Sequence, residues 1–246
     1  MCIAGTMTKP VVVGTAGWAI PAGDRDAFPA DGSALARYSA RLDGVEINSS
    51  FHRRHRPATW ANWAQTVPAD FRFAVKLPKT ITHQAKLREV SGPIEDFTAD
   101  VSGVVEKLAI VLVQLPPSLA YEEVVAAPFF EQLLSKTGAR IACEPRHVSW
   151  FQDNADRLLA DLGVSRVAAN PSLSDKASQP GGATDLGYWR LHGSPRMYRS
   201  AYGESGVADY VEKISQLACR QSWCMFDNTA STAAINDALL MRYATA

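Results

Sequence analysis

The 246-residue chain has no long apolar run, no surplus of charge and almost no cysteine, and each shortage closes off a class of protein. No apolar stretch approaches the roughly 18 residues that a membrane helix needs. The opening MCIAGTMTKP has neither the basic region nor the apolar region of a signal peptide, so residues 1–9 read as a tail and the chain as cytoplasmic, with no membrane association. Lys+Arg and Asp+Glu number 25 each, for a formal net charge of zero. That excludes a globally basic nucleic-acid coat and an acidic tail, though not a local basic patch. The four cysteines, Cys2, Cys143, Cys219 and Cys224, show neither a C-x-x-C pair nor zinc spacing and read as reduced thiols. No G-x-G-x-x-G or G-x-x-x-x-G-K-[ST] is present to cradle phosphates, and no H-E-x-x-H marks a metal. No cofactor and no metal are therefore expected, and no heptad announces a protein partner.

What the chain does have is alternation. Short β-rich runs occur at 11–17, 44–50, 72–78, 109–116, 140–145, 165–170, 187–193 and 223–228. Several are apolar almost throughout (VVVG, AIVLVQL, RIAC), as parallel strands covered by helices on both faces are. Helical periodicity occupies 33–42, 58–66, 97–108, 122–137, 154–162, 207–220 and 231–243. Asp96 reads as the N-cap of the third of these, and Gly138 and Gly163 as terminators of the fourth and fifth. Eight strands alternating with helices, in a chain 47% apolar and 20% charged, predict an α/β protein. A single (β/α)8 TIM-type barrel domain over residues 10–246 fits the length better than an open doubly wound sheet. The polar stretch 171–184 reads as a surface connection or a lid.

Barrel active sites lie at the carboxyl ends of the strands, and that is where the polar residues collect. The second run closes with Glu46 and Asn48, the third carries Lys76 and the fourth ends at Gln114. The fifth gives Glu144 with Arg146 and His147, the sixth Asn170, the seventh Arg190 and His192, the eighth Asp227 and Asn228. Charges are too costly to bury unless they pair, bind something or reach water, so polar groups at seven ends of eight predict a pocket. Plain structural readings stand beside this one. Asn48, Gln114, Asn170 and Asn228 can satisfy loop backbone groups, and Glu46 with Arg190 can be an ion pair that only fixes packing. Lys76, inside the apolar FAVKLP, either pairs with a carboxylate or has a lowered pKa suited to proton transfer or Schiff-base chemistry. Trp60 and Trp63, three apart, read as helix packing.

The motifs V-E-I-N-S-S-F (45–51), F-R-F-A-V-K (71–76), I-T-H (81–83), E-P-R-H-V-S-W (144–150), Y-W-R-L-H-G (188–193) and F-D-N (226–228) resemble the YecE-like proteins, TIM-barrel proteins named for a domain of unknown function. The resemblance runs from G-T-A-G-W (14–18) to the last helix and implies a single-domain barrel. The family's polar positions carry over as Glu46, Asn48, Lys76, His83, Glu144, Arg146, Arg190, His192 and Asn228. Its loop tyrosines carry over as Tyr198 and Tyr202, whereas His52 stands where the family commonly has tyrosine.

Cations gathered at one mouth should attract an anion. The leading expectation is an enzyme of lyase, isomerase or hydrolase type acting on a small phosphorylated or carboxylated compound. Glu46, Lys76, Glu144 and His192 would be catalytic, with either glutamate as acid or base. Arg146 and Arg190 would clamp the anion, and Asn48, His83, Tyr198, Tyr202 and Asn228 would help bind it. A nucleic-acid reading rests on the basic segment 52–56, on Arg196 and Arg199, and on Tyr198 and Tyr202 as stacking platforms. A glycosidase would use Glu46 and Glu144 as its carboxylate pair, and a non-catalytic scaffold is a fourth reading.

Overall fold

The computed structural model describes residues 10–246; the expected tail, with Cys2, lies outside the described residues. Every expected β run forms strand: β1 (Val11–Thr15), β2 (Gly44–Ile47), β3 (Arg72–Lys76), β4 (Leu108–Gln114), β5 (Arg140–Glu144), β6 (Ser165–Arg166) with β7 (Ala168–Asn170), β9 (Leu186–Leu191) and β10 (Gln221–Phe226). A two-residue strand, β8 (Gly181–Gly182), is additional. The helices are α1 (Ala34–Ser39), α2 (Ser49–His52), α3 (Pro57–Thr66), α4 (Ser91–Val101), α5 (Glu123–Thr137), α6 (Asp153–Asp161), α7 (Gly203–Gln216) and α8 (Ala233–Ala244). Local chemistry sets their ends. The Ser33 hydroxyl caps α1 by accepting from the Ala36 amide at 3.2 Å. Gly138 and Gly163 end α5 and α6 at φ +60° and +72°, where a side chain would be strained. Helix α4 starts six residues before the expected 97, because Pro93 sits in a first turn that needs no amide donor. Asp96 is thus inside α4 rather than its cap.

The strands form two sheets, in the orders β1-β10-β9-β7 and β2-β3-β4-β5-β6-β8, and all pairs are parallel except β6 with β8. The expected single closed ladder is accordingly divided, and both division points have a physical cause. Between β1 and β2 the Tyr38 hydroxyl takes up ladder groups, accepting from the Thr15 amide at 2.8 Å and donating to the Gly44 carbonyl at 3.0 Å. One parallel bridge, Ala16 with Glu46, joins the two strands beyond it. The sixth run divides at Val167 because β8 folds back onto β6, pairing Ser165 with Gly182 and Arg166 with Gly181. Of the two half-strands, β9 pairs only with β7. The stretch 171–184 is stitched down rather than loose: the Arg166 guanidinium donates to the carbonyls of Lys176 (3.0 Å) and Gln179 (3.2 Å). A Cβ at Gly181 would collide with that guanidinium, so a side chain there would push Arg166 off these carbonyls.

Alternation along the strands sorts the apolar residues into two cores. Val13, Val45, Ile47, Phe73, Val75, Val111, Val113, Ile141, Cys143 and Phe226 face the helices, in a large cluster that includes Trp60, Phe129 and Trp150. Their neighbours Val12, Ala74, Ile110, Leu112, Ala142, Val167, Leu186, Tyr188, Trp223 and Met225 form a second cluster drawn from both sheets. The two sheets therefore share one apolar interior, in which the rings of Tyr188 and Trp223 stack with centroids 6.1 Å apart. Each large apolar side chain buried this way contributes about 1.5–3 kcal/mol.

Candidate functional site

The inward alternation continues past the carboxyl ends of the strands. Glu46 and Asn48 follow Gly44, Lys76 follows Ala74, and Gln114 follows Leu112. Glu144 and Arg146 follow Ala142, Arg190 and His192 follow Tyr188, and Asp227 follows Met225. Polar side chains thus lie directly above the apolar interior, and Glu46, Glu144, Arg190 and His192 are each no more than 1% exposed.

Arg190 is the hub. Its Nε and Nη2 grip Glu46 bidentately at 2.9 and 2.6 Å, its Nη1 donates to Glu144, and its Nη2 also reaches Asp227 at 3.0 Å. The Tyr188 hydroxyl adds a 3.0 Å bond to Glu46 from below. His192 places Nδ1 2.9 Å from Asp227 and Nε2 3.0 Å from Glu144, with Arg146 Nη2 2.7 Å from the same Nε2. Arg146 Nη2 also donates to Glu144. An ionised Asp227 can only accept, so Nδ1 carries a proton. Nε2 then has two partners that exclude each other: a neutral ring accepts from Arg146, and a charged ring donates to Glu144.

Burial alone would raise the carboxylates, but the cations outweigh it. Arg190, Arg146 and His192 hold Glu144 well below the usual carboxylate range, and Arg190 and His192 hold Asp227 down as well. Arg190 is stabilised as a cation by the three carboxylates despite its burial, and the Tyr188 phenol is pushed up by burial and by Glu46. Lys76 behaves oppositely. Burial, with Arg190 nearby, lowers its pKa against the pull of Glu46, Glu144 and Asp227.

What remains after this pairing defines the site. Five of the six carboxylate oxygens of Glu46, Glu144 and Asp227 accept a bond, leaving Asp227 Oδ1. Among the described residues no hydrogen bond or ion pair reaches Lys76 Nζ, which lies 4.1 Å from the centre of the Phe51 ring. Arg146 Nε and Asn48 Oδ1 are buried and also lack a partner. The expected surplus of cations disappears, because Asp227 balances the count: three carboxylates face Arg190, Arg146 and Lys76. Carboxylates take four of the five N–H groups of Arg190, leaving one on Nη1.

Other expected residues fall around this centre. His83, on a single π-helical turn (Thr80–Gln84), bonds through Nδ1 to Thr82 Oγ1 at 2.8 Å and meets the Phe51 ring at 4.9 Å. Tyr198 is half-exposed and packs edge-on against His192 at 5.6 Å. Tyr202 and Asn228 turn away from the hub. The Tyr202 hydroxyl meets Asn170 Oδ1 at 2.7 Å and accepts from the Gly193 amide at 2.9 Å. Asn228 donates to the Ser200 carbonyl and to Asp237, the buried carboxylate that also caps α7 through the Tyr202 and Gly203 amides. In the basic segment, Arg54 binds Asp100 (2.7 and 2.8 Å) and Asp96 (2.9 Å) on α4, so it is directed to the helix layer and not to the mouth. His55 pairs with Ser49 and packs between Trp60 and Trp63.

Sequence reasoning placed Asp227 at a polar strand end without giving it a role, and did not single out Tyr188. Strict period-two counting identifies both: Trp223, Met225 and Asp227 share one face of β10, and Asn228 shares the other with Phe226. Glu46 and Glu144 also clasp one guanidinium between them, so the glycosidase reading lacks the free carboxylate pair it requires. Among the described residues no three His, Cys, Asp or Glu side chains gather as a metal set, and no helix is long and apolar enough to cross a membrane.

Comparison with known proteins gives a consistent family signal. The profile of the family described as "Protein of unknown function DUF72" matches residues 12–246. The UPF0759 protein YecE of Escherichia coli K12 is 28% identical over 141 residues, and that of the O157:H7 strain 25% over 144. These stretches cover 55% and 58% of this chain but only 51% and 52% of those relatives. A solved DUF72 family structure from Thermotoga maritima superposes with a TM-score of 0.78 at 22% identity, covering 95% of this chain and 98% of that one. One from Enterococcus faecalis gives 0.77 at 20%, covering 96% and 95%.

Proposed function

The chain belongs to the DUF72 family, and from the chemistry left over at its strand ends we propose that it is an enzyme acting on a small phosphorylated or carboxylated compound. The reading places that compound at the mouth of one closed (β/α)8 barrel formed by residues 10–246, with β6 and β7 as halves of a single strand. Closure is supported by the Ala16–Glu46 bridge and by the shared apolar interior. The Val167 amide, which bonds Cys143 between the two half-strands, supports it as well.

The observation that carries the proposal is the imbalance of unused groups. The carboxylates are almost saturated, while two cationic donors, Lys76 Nζ and Arg146 Nε, lack acceptors. A ligand rich in acceptor oxygens completes them, and Asn48 Oδ1 remains for a ligand hydroxyl. In this assignment Arg146 and Lys76 bind the anionic substrate. His192 moves a proton at Nε2, and Glu46, Glu144 and Asp227 hold Arg190 and His192 in place. Glu144 is a positioning carboxylate rather than the general acid or base, since its neighbours keep it ionised and poorly basic. His83 and Tyr198 border the opening. The nucleic-acid reading is the weaker of the two, since Arg54, one of its basic residues, is committed to α4.

The test is thermal unfolding against a panel of sugar phosphates, nucleotides, small carboxylates and neutral sugars. An anion at about a hundred times its dissociation constant should add roughly 2.7 kcal/mol, on the order of 5–11 °C for a domain this size. Arg146→Ala should lose most of that shift. A full shift in Arg146→Ala, or stabilisation by neutral sugars alone, sinks the proposal.

A further inference from the structure

Resting on that reading of the mouth, we infer that Lys76 is a nucleophile that forms an imine with a small carbonyl compound bearing a carboxylate or phosphate. The geometry sets this lysine apart from others along the chain. Lys107 donates to two backbone carbonyls, Lys136 pairs with Glu95, and Lys176 pairs with Asp153 and Asp156. Lys213 lies over the Tyr210 ring but on the exposed side of α7. Among the described lysines, Lys76 alone stands at the carboxyl end of a strand, above the apolar interior, with its amine against an aromatic ring and no hydrogen-bond partner. Burial disfavours its ammonium form, and the charge of Arg190, itself fixed by three carboxylates, adds to this against the pull of Glu46, Glu144 and Asp227. An amine whose protonation is disfavoured in this way offers its lone pair more readily.

The surroundings suit the carbonyl partner. The unpartnered Arg146 Nε stands on the same inward face two strands away, since β3 pairs with β4 and β4 with β5. Two strand spacings are about 10 Å between backbones, a gap that two long side chains and a compound of a few carbons can bridge. The anionic group would meet Arg146, leaving the carbonyl for Nζ. His83 borders the same Phe51 ring, with Nδ1 taken by Thr82, and so brings a second proton-carrying group to that wall.

The step balances without a redox partner. Neutral Nζ adds to the carbonyl carbon; the N–C bond forms as the C=O π pair moves to oxygen, and the proton released by nitrogen ends on that oxygen. The resulting carbinolamine takes up one proton from solvent on its hydroxyl, and the nitrogen lone pair then expels water. The product is a protonated imine on Lys76, with one water released per carbonyl consumed.

The full chain is incubated with pyruvate, dihydroxyacetone phosphate or the neutral probe hydroxyacetone, reduced with borohydride, and mapped by peptide mass spectrometry. The expected result is a secondary amine on Lys76, its mass raised by that of the probe less one oxygen. It should be stronger with the two anions and absent from Lys76→Met and Lys76→Arg. A cooperative melting transition of Lys76→Met and of Lys76→Arg close to that of the natural chain establishes that both variants fold. Binding of the anions without any adduct on Lys76, or adducts spread over Lys79, Lys86 and Lys213 and unchanged in the variants, overturns the imine while the anion site stands. An adduct on Lys76 with hydroxyacetone alone, and no thermal shift with any anion, keeps the imine and removes the anion site.

Discussion

Two arginines of this protein are equally buried, Arg166 and Arg190 at 2% and 1% exposure, and they do different work. Arg166 faces the helix layer. One carboxylate, Asp156, and two backbone carbonyls satisfy it, and the Phe151 ring covers it at 5.0 Å. Its cluster closes on itself and ties the 171–184 segment to α6. Arg190 faces the interior and is held by three carboxylates from three strands, and around it a lysine amine, an arginine Nε and an asparagine oxygen are left without partners. Burial and ion pairing are common to both and identify nothing. The unmatched groups separate a clasp from a site.

The largest way to break the comparison is to remove each guanidinium in turn. Arg190→Met strands Glu46 and Glu144 as buried charges and should cost about 3–5 kcal/mol, or roughly 6–20 °C in melting temperature. Arg166→Met should cost less, about 1–3 kcal/mol. Asp156 is partly exposed and keeps Lys176 at 3.2 Å, so mainly two carbonyls lose their donor. Its distinguishing sign is faster proteolysis within 171–184 at unchanged ligand response. Equal losses from the two variants would show that the clusters are energetically alike.

The smallest effect is in pH. Glu144 and Asp227 are depressed in the folded state, so their contribution is complete above the unfolded carboxylate values of about 4 and is lost as pH falls through the folded ones. In Arg190→Met the largest cation holding them down is gone, and protonation relieves the buried charge instead. The stability gap between the natural chain and this variant should therefore narrow between pH 7 and 4 in denaturant titrations. A gap that stays constant contradicts the assignment of Arg190 as the group that keeps them ionised.

Strand positions and polar strand ends were legible in the sequence because apolar runs and their interruptions are local signals. Glu46, Lys76, Glu144, Arg190 and His192 converge as their placement on strand ends implied. What escaped was of two kinds. Asp227 was readable, yet adjacency favoured Asn228; one step of alternation separates a residue of the cluster from one that caps α7 through Asp237. Arg54 was not readable, because its partners Asp96 and Asp100 lie more than forty residues on and belong to a different helix. The division of the sixth run at Val167 likewise depends on a two-glycine strand too short to leave a pattern.

The Tyr188–Trp223 stack has a consequence for traffic. Those rings and the apolar side chains around them fill the interior beneath Arg190. In the proposed reaction, substrate, released water and product would therefore share the approach from the strand-end side, where Tyr198 is half-exposed. A compound resembling the product would then compete with the next substrate for the same threshold.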